Sequence, residues 1–238
     1  MRRTATPLVL STLLAGLALA AGPAAAQNGR PTAFPVNEAH KIPALEETIE
    51  AVLQAVDDRD TEALLEYVLP ELQFSFGVEN GAEAWAEILN APADSDTSDW
   101  REEIWFALGD TMRLGGAFNE RMEYCVPYFN CSFDSEDAGP EADAFTTIFV
   151  IRHDAAIRAQ PRADAQVIGR SAYEVWTGVE FTDPPPDGDW RDTWARVVLP
   201  TGTPGYIWRE DFRQWVGYRG YFVETPEGWR LQVFIAGD

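Results

Sequence analysis

The hydrophobic pattern of the chain changes near Phe145, and this change constrains its fold more than any other feature. Before Phe145, apolar residues recur at helical spacing, as in the stretch from Leu45 to Val56. After it, short runs of β-branched and aromatic residues alternate with turn residues, and six of the nine tryptophans lie there. We therefore predict an α+β protein, with a helical α+β domain over residues 43–131 and an all-β unit over residues 145–214.

The first half predicts a helical hairpin, a short strand and two further helices. The apolar spacing from Leu45 to Val56 predicts the first helix. The second helix is expected to end before Pro70, because proline has no amide hydrogen to donate. Apolar and polar residues alternate from Leu72 to Phe76, which predicts a strand. Helices are then expected at 82–89 and around 100–108.

The N-terminus has the features of a cleavable export signal. Arg2 and Arg3 precede an apolar stretch, and small residues end it at Ala24–Ala26. A membrane anchor is the alternative, but the apolar stretch is shorter than the roughly 20 residues that a spanning helix needs. We predict a signal peptide over residues 1–26 and a flexible leader over residues 27–42. The expected location is periplasmic or secreted, with no stable membrane insertion after cleavage.

The two cysteines, Cys125 and Cys131, are close in sequence. A disulfide between them is expected, because export places the chain in an oxidising compartment. A zinc site is disfavoured, since His40 and His153 are remote in sequence from the pair. No metal site and no cofactor is predicted.

The chain is strongly acidic, with a formal net charge of −21. Cleavage of the signal would remove two arginines and no acidic residue, so the processed chain is more negative still. Such a charge is repelled by nucleic acids and by anionic lipid, so neither is an expected partner. The acidic stretch at 132–144 has few apolar residues and predicts a linker or a long surface loop.

Two motifs within residues 145–214 resemble known sequences. The first runs from Ala155-Ala-Ile-Arg158 to Val167-Ile-Gly169, and the second is Trp194–Gly202 followed by Gly205-Tyr-Ile-Trp208. Both resemble bacterial SH3-like (SH3b) domains in order and spacing. The resemblance implies a small β-barrel of about five strands over residues 145–214. The acidic loop at 183–190 departs from the family pattern.

The resemblance also implies binding of peptidoglycan peptides or of another envelope protein. The ligand-binding residues that it implies are Arg158, Arg162, Trp190, Trp194 and Tyr206. Aromatic walls and a guanidinium would suit a short peptide or its carboxylate. In the alternative reading Trp194 and Tyr206 line the core, and Arg158 pairs with one of the many acidic residues.

The last segment, residues 215–238, predicts a β-hairpin with a tight turn at Thr225–Gly228. Together with the helix, helix, strand, helix order of the first half, it resembles the SnoaL-like and nuclear-transport-factor-like cone fold. This resemblance implies that the hairpin packs on the helical domain and that the barrel is inserted into it. The alternative is a barrel simply appended to that domain.

No catalytic motif is present: the sequence has no nucleophile elbow, no metalloprotease helix and no phosphate-binding glycine loop. The leading hypothesis is therefore an exported, non-catalytic binding protein of the cell envelope. The alternative is a small-molecule-binding protein or enzyme with a pocket in a cone-shaped N-terminal domain, using Glu83 or Asp110 as a base. A third hypothesis is a modifier of another envelope complex. The sequence indicates no oligomeric state.

Overall fold

The structure is a computed structural model that describes residues 29–140, 142–184 and 191–237. The predicted signal peptide lies outside the described residues. The chain contains both helices and sheets, as expected for an α+β protein. Its helices are α1 (Pro43–Asp58), α2 (Thr61–Leu65), α3 (Ala82–Leu89), α4 (Ser98–Met112) and α5 (Phe129–Ser132).

Local sequence explains where the first helices begin and end. Pro43 opens α1 at a position where its missing amide hydrogen is not needed, and Arg59 ends the helix in the left-handed conformation. The side chain of Asp60 then caps α2 by accepting a hydrogen bond from the amide of Ala63, at 3.0 Å. Helix α2 ends at Leu65, earlier than the sequence predicted.

Thirteen strands are described. They are β1 (Val68–Gln73), β2 (Ala117–Phe118), β3 (Tyr124–Val126), β4 (Ile148–Val150), β5 (Ala155–Arg158), β6 (Val167–Ser171), β7 (Val175–Trp176), β8 (Glu180–Phe181), β9 (Trp194–Val198), β10 (Pro204–Trp208), β11 (Phe212–Gln214), β12 (Arg219–Thr225) and β13 (Gly228–Ile235). Strand β1 starts before the predicted strand and contains Pro70. This position is tolerated because β1 lies at the edge of its sheet, where one side of the strand needs no ladder bonds.

The first sheet has the order β1-β13-β12-β3-β2. Strand β13 runs parallel to β1 and antiparallel to β12, and β12 also pairs with β3. The C-terminal hairpin therefore completes the sheet of the N-terminal half. Residues 148–214, here called the β unit, lie in chain order between β3 and β12 and are an insertion into this sheet. The helical domain is residues 43–131 together with β12 and β13.

The core of the helical domain is closely packed between its helices and this sheet. Its side chains with no measurable exposure include Leu45, Val52, Leu64, Leu72, Trp85, Leu108, Tyr124, Phe222 and Leu231. Helices, first-half strands and the C-terminal hairpin all contribute to this set. The domain is thus built from two distant parts of the chain.

The β unit consists of two sheets, a five-stranded one of order β6-β5-β10-β9-β8 and a three-stranded one of order β11-β4-β7. Both contribute to one core, formed by Ile148, Val150, Ala155, Ile157, Trp176, Val179, Ala195, Val197, Ile207 and Phe212. The described part of the unit thus has eight strands in two sheets and shows no closed barrel, whereas the resemblance implied one small barrel of about five strands. The additional sheet arises because β4 and β11, at the two ends of the unit, pair with each other.

The segment predicted to be a flexible leader is packed where it is described, at residues 29–42. Thr32 forms a β-bridge with Glu174, and the hydroxyl of Tyr128 donates a hydrogen bond to the carbonyl of Ala33 at 2.9 Å. These partners lie about a hundred residues or more away along the chain, so local sequence does not reveal them. The segment contacts both the helical domain and the β unit.

The predicted disulfide between Cys125 and Cys131 is present and joins β3 to α5. The acidic stretch at 132–144 follows directly. Most of it is exposed, although Phe133 packs with Phe149 and Trp215. The stretch therefore runs along the boundary of the β unit.

Gly205 in β10 provides a test of how closely the strands of the β unit approach. A Cβ atom at Gly205 would lie 2.4 Å from Cγ2 of Ile157 in the core, whereas a Cβ at Gly169 would lie 3.5 Å or more from its neighbours. We expect Gly205→Ala to lower the free energy of unfolding by about 1–3 kcal/mol. The matched control Gly169→Ala should change it by less than about 0.5 kcal/mol. Urea denaturation of both variants measures the difference, and equal midpoints would contradict the described approach of β5 and β10.

Candidate functional site

The five-stranded sheet of the β unit has an outer face that carries most of the predicted ligand-binding residues. Ala195 and Ile207 point into the core, so alternation along β9 and β10 puts their neighbours on the opposite face. We call this surface the tryptophan face. It is formed by Arg158, Arg162, Trp194, Tyr206 and Trp208.

Trp194 and Trp208 form the centre of the tryptophan face. They are direct partners across the β9–β10 ladder, and their rings lie 4.9 Å apart between centroids with a tilt of 53°. Trp194 is only 7% exposed, while Trp208 is partly exposed. Trp194 is therefore the buried member of the pair, and Trp208 is the ring that a ligand can contact.

Two arginines flank the tryptophan pair. Arg158 donates a hydrogen bond from Nη1 to the carbonyl of Ala165, at 2.9 Å, which holds the loop after β5 against the sheet. Arg162 lies on that loop, is well exposed and forms an ion pair of 3.1 Å with Asp164. An exposed ion pair of this kind contributes only about 0–1 kcal/mol, so Arg162 can exchange its partner at small cost.

The two remaining predicted residues are Tyr206 and Trp190. Tyr206 is partly exposed on the tryptophan face, opposite Arg158 in β5 and Arg196 in β9. It is not part of the core, contrary to the alternative reading. Trp190 lies outside the described residues.

Two shallow depressions adjoin the tryptophan pair. One, of about 330 Å³, is bordered by Arg162, Trp194 and Trp208 together with Asp183 and Asp192. The other, of about 160 Å³, is bordered by Arg158, Trp194 and Trp208. Three of the five predicted residues therefore meet around Trp208. An open surface with the accessible ring of Trp208 and two guanidinium groups can hold a short peptide and pair with a carboxylate.

Trp208 was not among the predicted ligand residues, although the sequence contains the signal for it. It stands two residues after Tyr206 in the same strand, and residues two apart in a strand share a face. The aromatic residues that the resemblance implied were Trp190, Trp194 and Tyr206. Only the pairing of β9 with β10 shows that the two tryptophans are neighbours.

Of the two carboxylates considered as catalytic bases, Glu83 lies at the surface, and Asp110 borders a partly apolar cavity but is paired with arginines. Glu83 is exposed on α3. Asp110 on α4 accepts a hydrogen bond from Arg213 and lies 4.0 Å from Arg209, so its oxygens face guanidinium donors. Neither environment resembles that of a carboxylate held ready to take a proton from a substrate.

Among the residues that the structure describes, no group of three or more His, Cys, Asp or Glu side chains is placed to hold a metal ion. In the same part of the chain, no helix has the length and apolar character needed to cross a membrane.

Comparison of the chain with protein-family models, with curated proteins and with solved structures gives no match in any of the three. The function of the chain is therefore inferred from its own geometry and from the motifs in its sequence.

Proposed function

We propose that this protein is an exported, non-catalytic binding protein of the cell envelope, whose β unit is an SH3-like barrel that binds a short peptide at the tryptophan face. The observation that carries this proposal is the Trp194–Trp208 pair, flanked by Arg158 and Arg162 on an open surface. Export is supported by the signal-like N-terminus and by the disulfide, which is typical of oxidising compartments.

The chemistry of the tryptophan face favours a peptide with a free carboxylate. The tilted tryptophan rings offer an apolar surface for a peptide side chain or backbone, and Arg162 can pair with the carboxylate by leaving its exposed partner Asp164. Arg158 uses one of its five N–H donors on Ala165. An open surface with few anchors predicts modest affinity, as is usual for a module that acts at high local ligand concentration.

Peptidoglycan stem peptides are the ligand that we favour. They are short, carry free carboxylates and are abundant where an exported protein would be found. The resemblance of the Ala155–Arg158 and Trp194–Trp208 motifs to SH3b domains supports the same ligand. Binding to a partner protein, with no binding to peptidoglycan, is the outcome that would replace it.

The proposal predicts that Trp208→Ala reduces co-sedimentation of the purified full-length protein with purified peptidoglycan. Loss of one stacking ring at a binding centre typically costs about 2 kcal/mol, which corresponds to roughly thirtyfold weaker binding. Trp100→Ala is the matched control, because Trp100 is also a partly exposed tryptophan but lies on α4 in the helical domain. The control should bind like the unchanged protein.

A second variant keeps the test independent of folding. The Arg162 side chain is 62% exposed, so Arg162→Gln leaves the packing intact, and it is expected to weaken binding of stem peptides several-fold. Thermal unfolding of each variant checks that the fold is retained. Equal sedimentation of all variants, or none by the unchanged protein, would reject peptidoglycan as the ligand.

A further inference from the structure

Three adjoining cavities lie between helix α4 and the segment 209–214 of the β unit. All three are bordered by Phe106, Asp110 and Arg213, and their volumes are about 350, 760 and 520 Å³. We call this continuous space the arginine cleft. Pockets of 300 Å³ or more are the size in which proteins hold small molecules, so the cleft is large enough for a ligand.

Two arginines in the arginine cleft converge on one carboxylate. Arg213 donates a hydrogen bond to Oδ1 of Asp110, and Nη2 of Arg209 lies 4.0 Å from Oδ2. The side chains are largely buried, with 15% exposure for Arg213, 18% for Asp110 and 22% for Arg209. Two positive charges thus share one negative charge where water screens them poorly.

Further observations indicate that the charges of Arg209 and Arg213 are only partly compensated by Asp110. The Nε of Arg213 is buried and has no hydrogen-bond partner among the described residues, which is costly for a charged donor. Burial, together with the charge of Arg213, lowers the pKa of Arg209 to about 10. A bound anion would compensate both features.

The walls of the cleft concentrate arginines in this acidic protein. Six arginines and five carboxylates border the two outer cavities: Arg59, Arg113, Arg152, Arg191, Arg209, Arg213, Asp57, Glu102, Asp110, Asp192 and Glu210. Arg59 pairs with Glu102, and Arg113 pairs with Asp57. Glu103 at the inner cavity balances the count, so the cleft is formally neutral in a chain whose net charge is −21 and repels a small anion less than the acidic surface does.

The inner cavity, of about 350 Å³, supplies an apolar region beside these charges. Its lining includes the partly exposed side chains of Phe106, Leu114, Phe181 and Val216. Phe129 and Phe212 also border it but are 2% and 0% exposed, so they offer little open surface. Glu103 also borders it and hydrogen-bonds to Tyr218. Arg209 and Arg213 border the same cavity as these side chains, and the guanidinium of Arg209 lies 5.8 Å from the ring centroid of Phe212. The cavity therefore offers charged and apolar contacts to one molecule.

We propose that the arginine cleft is a second binding site of this protein, and that it takes a small organic acid whose carboxylate pairs with Arg209 and Arg213 while its apolar body lies among the phenylalanine rings. One outer cavity of the cleft also borders Trp208 and Asp192, so the arginine cleft adjoins the tryptophan face. Arg162 borders only the tryptophan face and Arg209 only the cleft, so variants at these two positions report on the two sites separately. Because the cleft lies between α4 and the β unit, its ligand would also hold these two parts together.

The test compares phenylbutyrate with phenylbutanol, which has the same apolar body but no charge. Isothermal titration calorimetry of the full-length protein at low ionic strength should show phenylbutyrate binding with a dissociation constant on the order of 1 mM or tighter. Phenylbutanol should bind at least about tenfold more weakly, because it cannot compensate the buried arginines. Phenyl phosphate serves as the third probe and should bind no more tightly than phenylbutyrate.

Variants assign the site to the named residues. Arg209→Met keeps the length of the side chain and leaves the Arg213–Asp110 pair, and should weaken phenylbutyrate binding about tenfold or more. Arg152→Gln at the mouth of the cleft alters a side chain that is 57% exposed, so the fold is retained, and should weaken binding about threefold. Arg170→Gln, also exposed on the β unit but not part of the cleft lining, is the matched control and should have no effect.

Several outcomes would overturn the proposal. They are no binding of phenylbutyrate up to about 10 mM, equal binding of phenylbutanol, or unchanged binding by both Arg209→Met and Arg152→Gln. Tighter binding of phenyl phosphate would show that the site prefers phosphate to carboxylate and would overturn the assigned ligand class.

Discussion

A chain that ends after Gln214 is expected not to fold its helical domain. Removal of residues 215–238 deletes β12 and β13, which lie between β1 and β3 in the first sheet. It also removes Phe222, Leu231 and Phe234, which are 0%, 0% and 1% exposed. Each buried side chain of this size contributes about 1.5–3 kcal/mol, and the ladders to β1 and β3 are lost as well. The total approaches or exceeds the whole stability of a typical domain, about 5–15 kcal/mol.

Circular dichroism and urea denaturation would measure this loss. The truncated chain should lack a cooperative unfolding transition for its helices, whereas a control chain ending after Ile235 keeps β13 and should unfold like the intact protein. Native-like helical unfolding of the chain that ends at Gln214 would contradict the sheet order. It would instead support a self-sufficient domain over residues 43–131.

Asp110→Asn is expected to destabilise the protein by about 2–3 kcal/mol, because it removes the charge shared by the largely buried Arg209 and Arg213. The shape of the side chain is almost unchanged, so the effect reports on charge. Two guanidinium groups would then face each other with no carboxylate between them. The measurement is the free energy of unfolding in urea at neutral pH.

Asp57→Asn is the matched control for this prediction. Asp57 also pairs with an arginine, Arg113, but the two side chains are 60% and 51% exposed. An exposed ion pair contributes about 0–1 kcal/mol, so the control should change stability by no more than that. Equal effects of the two substitutions would show that burial of the Asp110 group has no energetic consequence. In that case the cleft arginines would not need a bound anion.

The candidate sites differ in how far the sequence could predict them. Most of the tryptophan face could be predicted from the sequence, because Arg158, Arg162 and Trp194 stand in motifs of recognisable spacing. Trp208 follows from alternation along one strand. The arginine cleft could not be predicted from the sequence. Its central groups, Asp110 on α4 and Arg213 in β11, are about a hundred residues apart, and no local pattern links them.

The sequence by itself determined the features that depend on neighbours in the chain. These are the helices α1 and α3, the change from helical to strand periodicity near Phe145, the Cys125–Cys131 disulfide and the α+β class. Helical spacing, caps and turns act over a few residues, so their signals are present in the local pattern.

Tertiary structure alone decided the features that depend on distant pairing. The run from Val68 to Gln73 became a strand because β13 pairs with it. Residues 29–42 are packed because the Tyr128 hydroxyl and the backbone of Tyr173 and Val175 provide hydrogen-bond partners. The arginine cleft exists because the β unit is inserted between β3 and β12 and lies against α4. The free energy of such contacts comes from burial and hydrogen bonds between segments far apart in the chain, and a local pattern carries no record of which segments will meet.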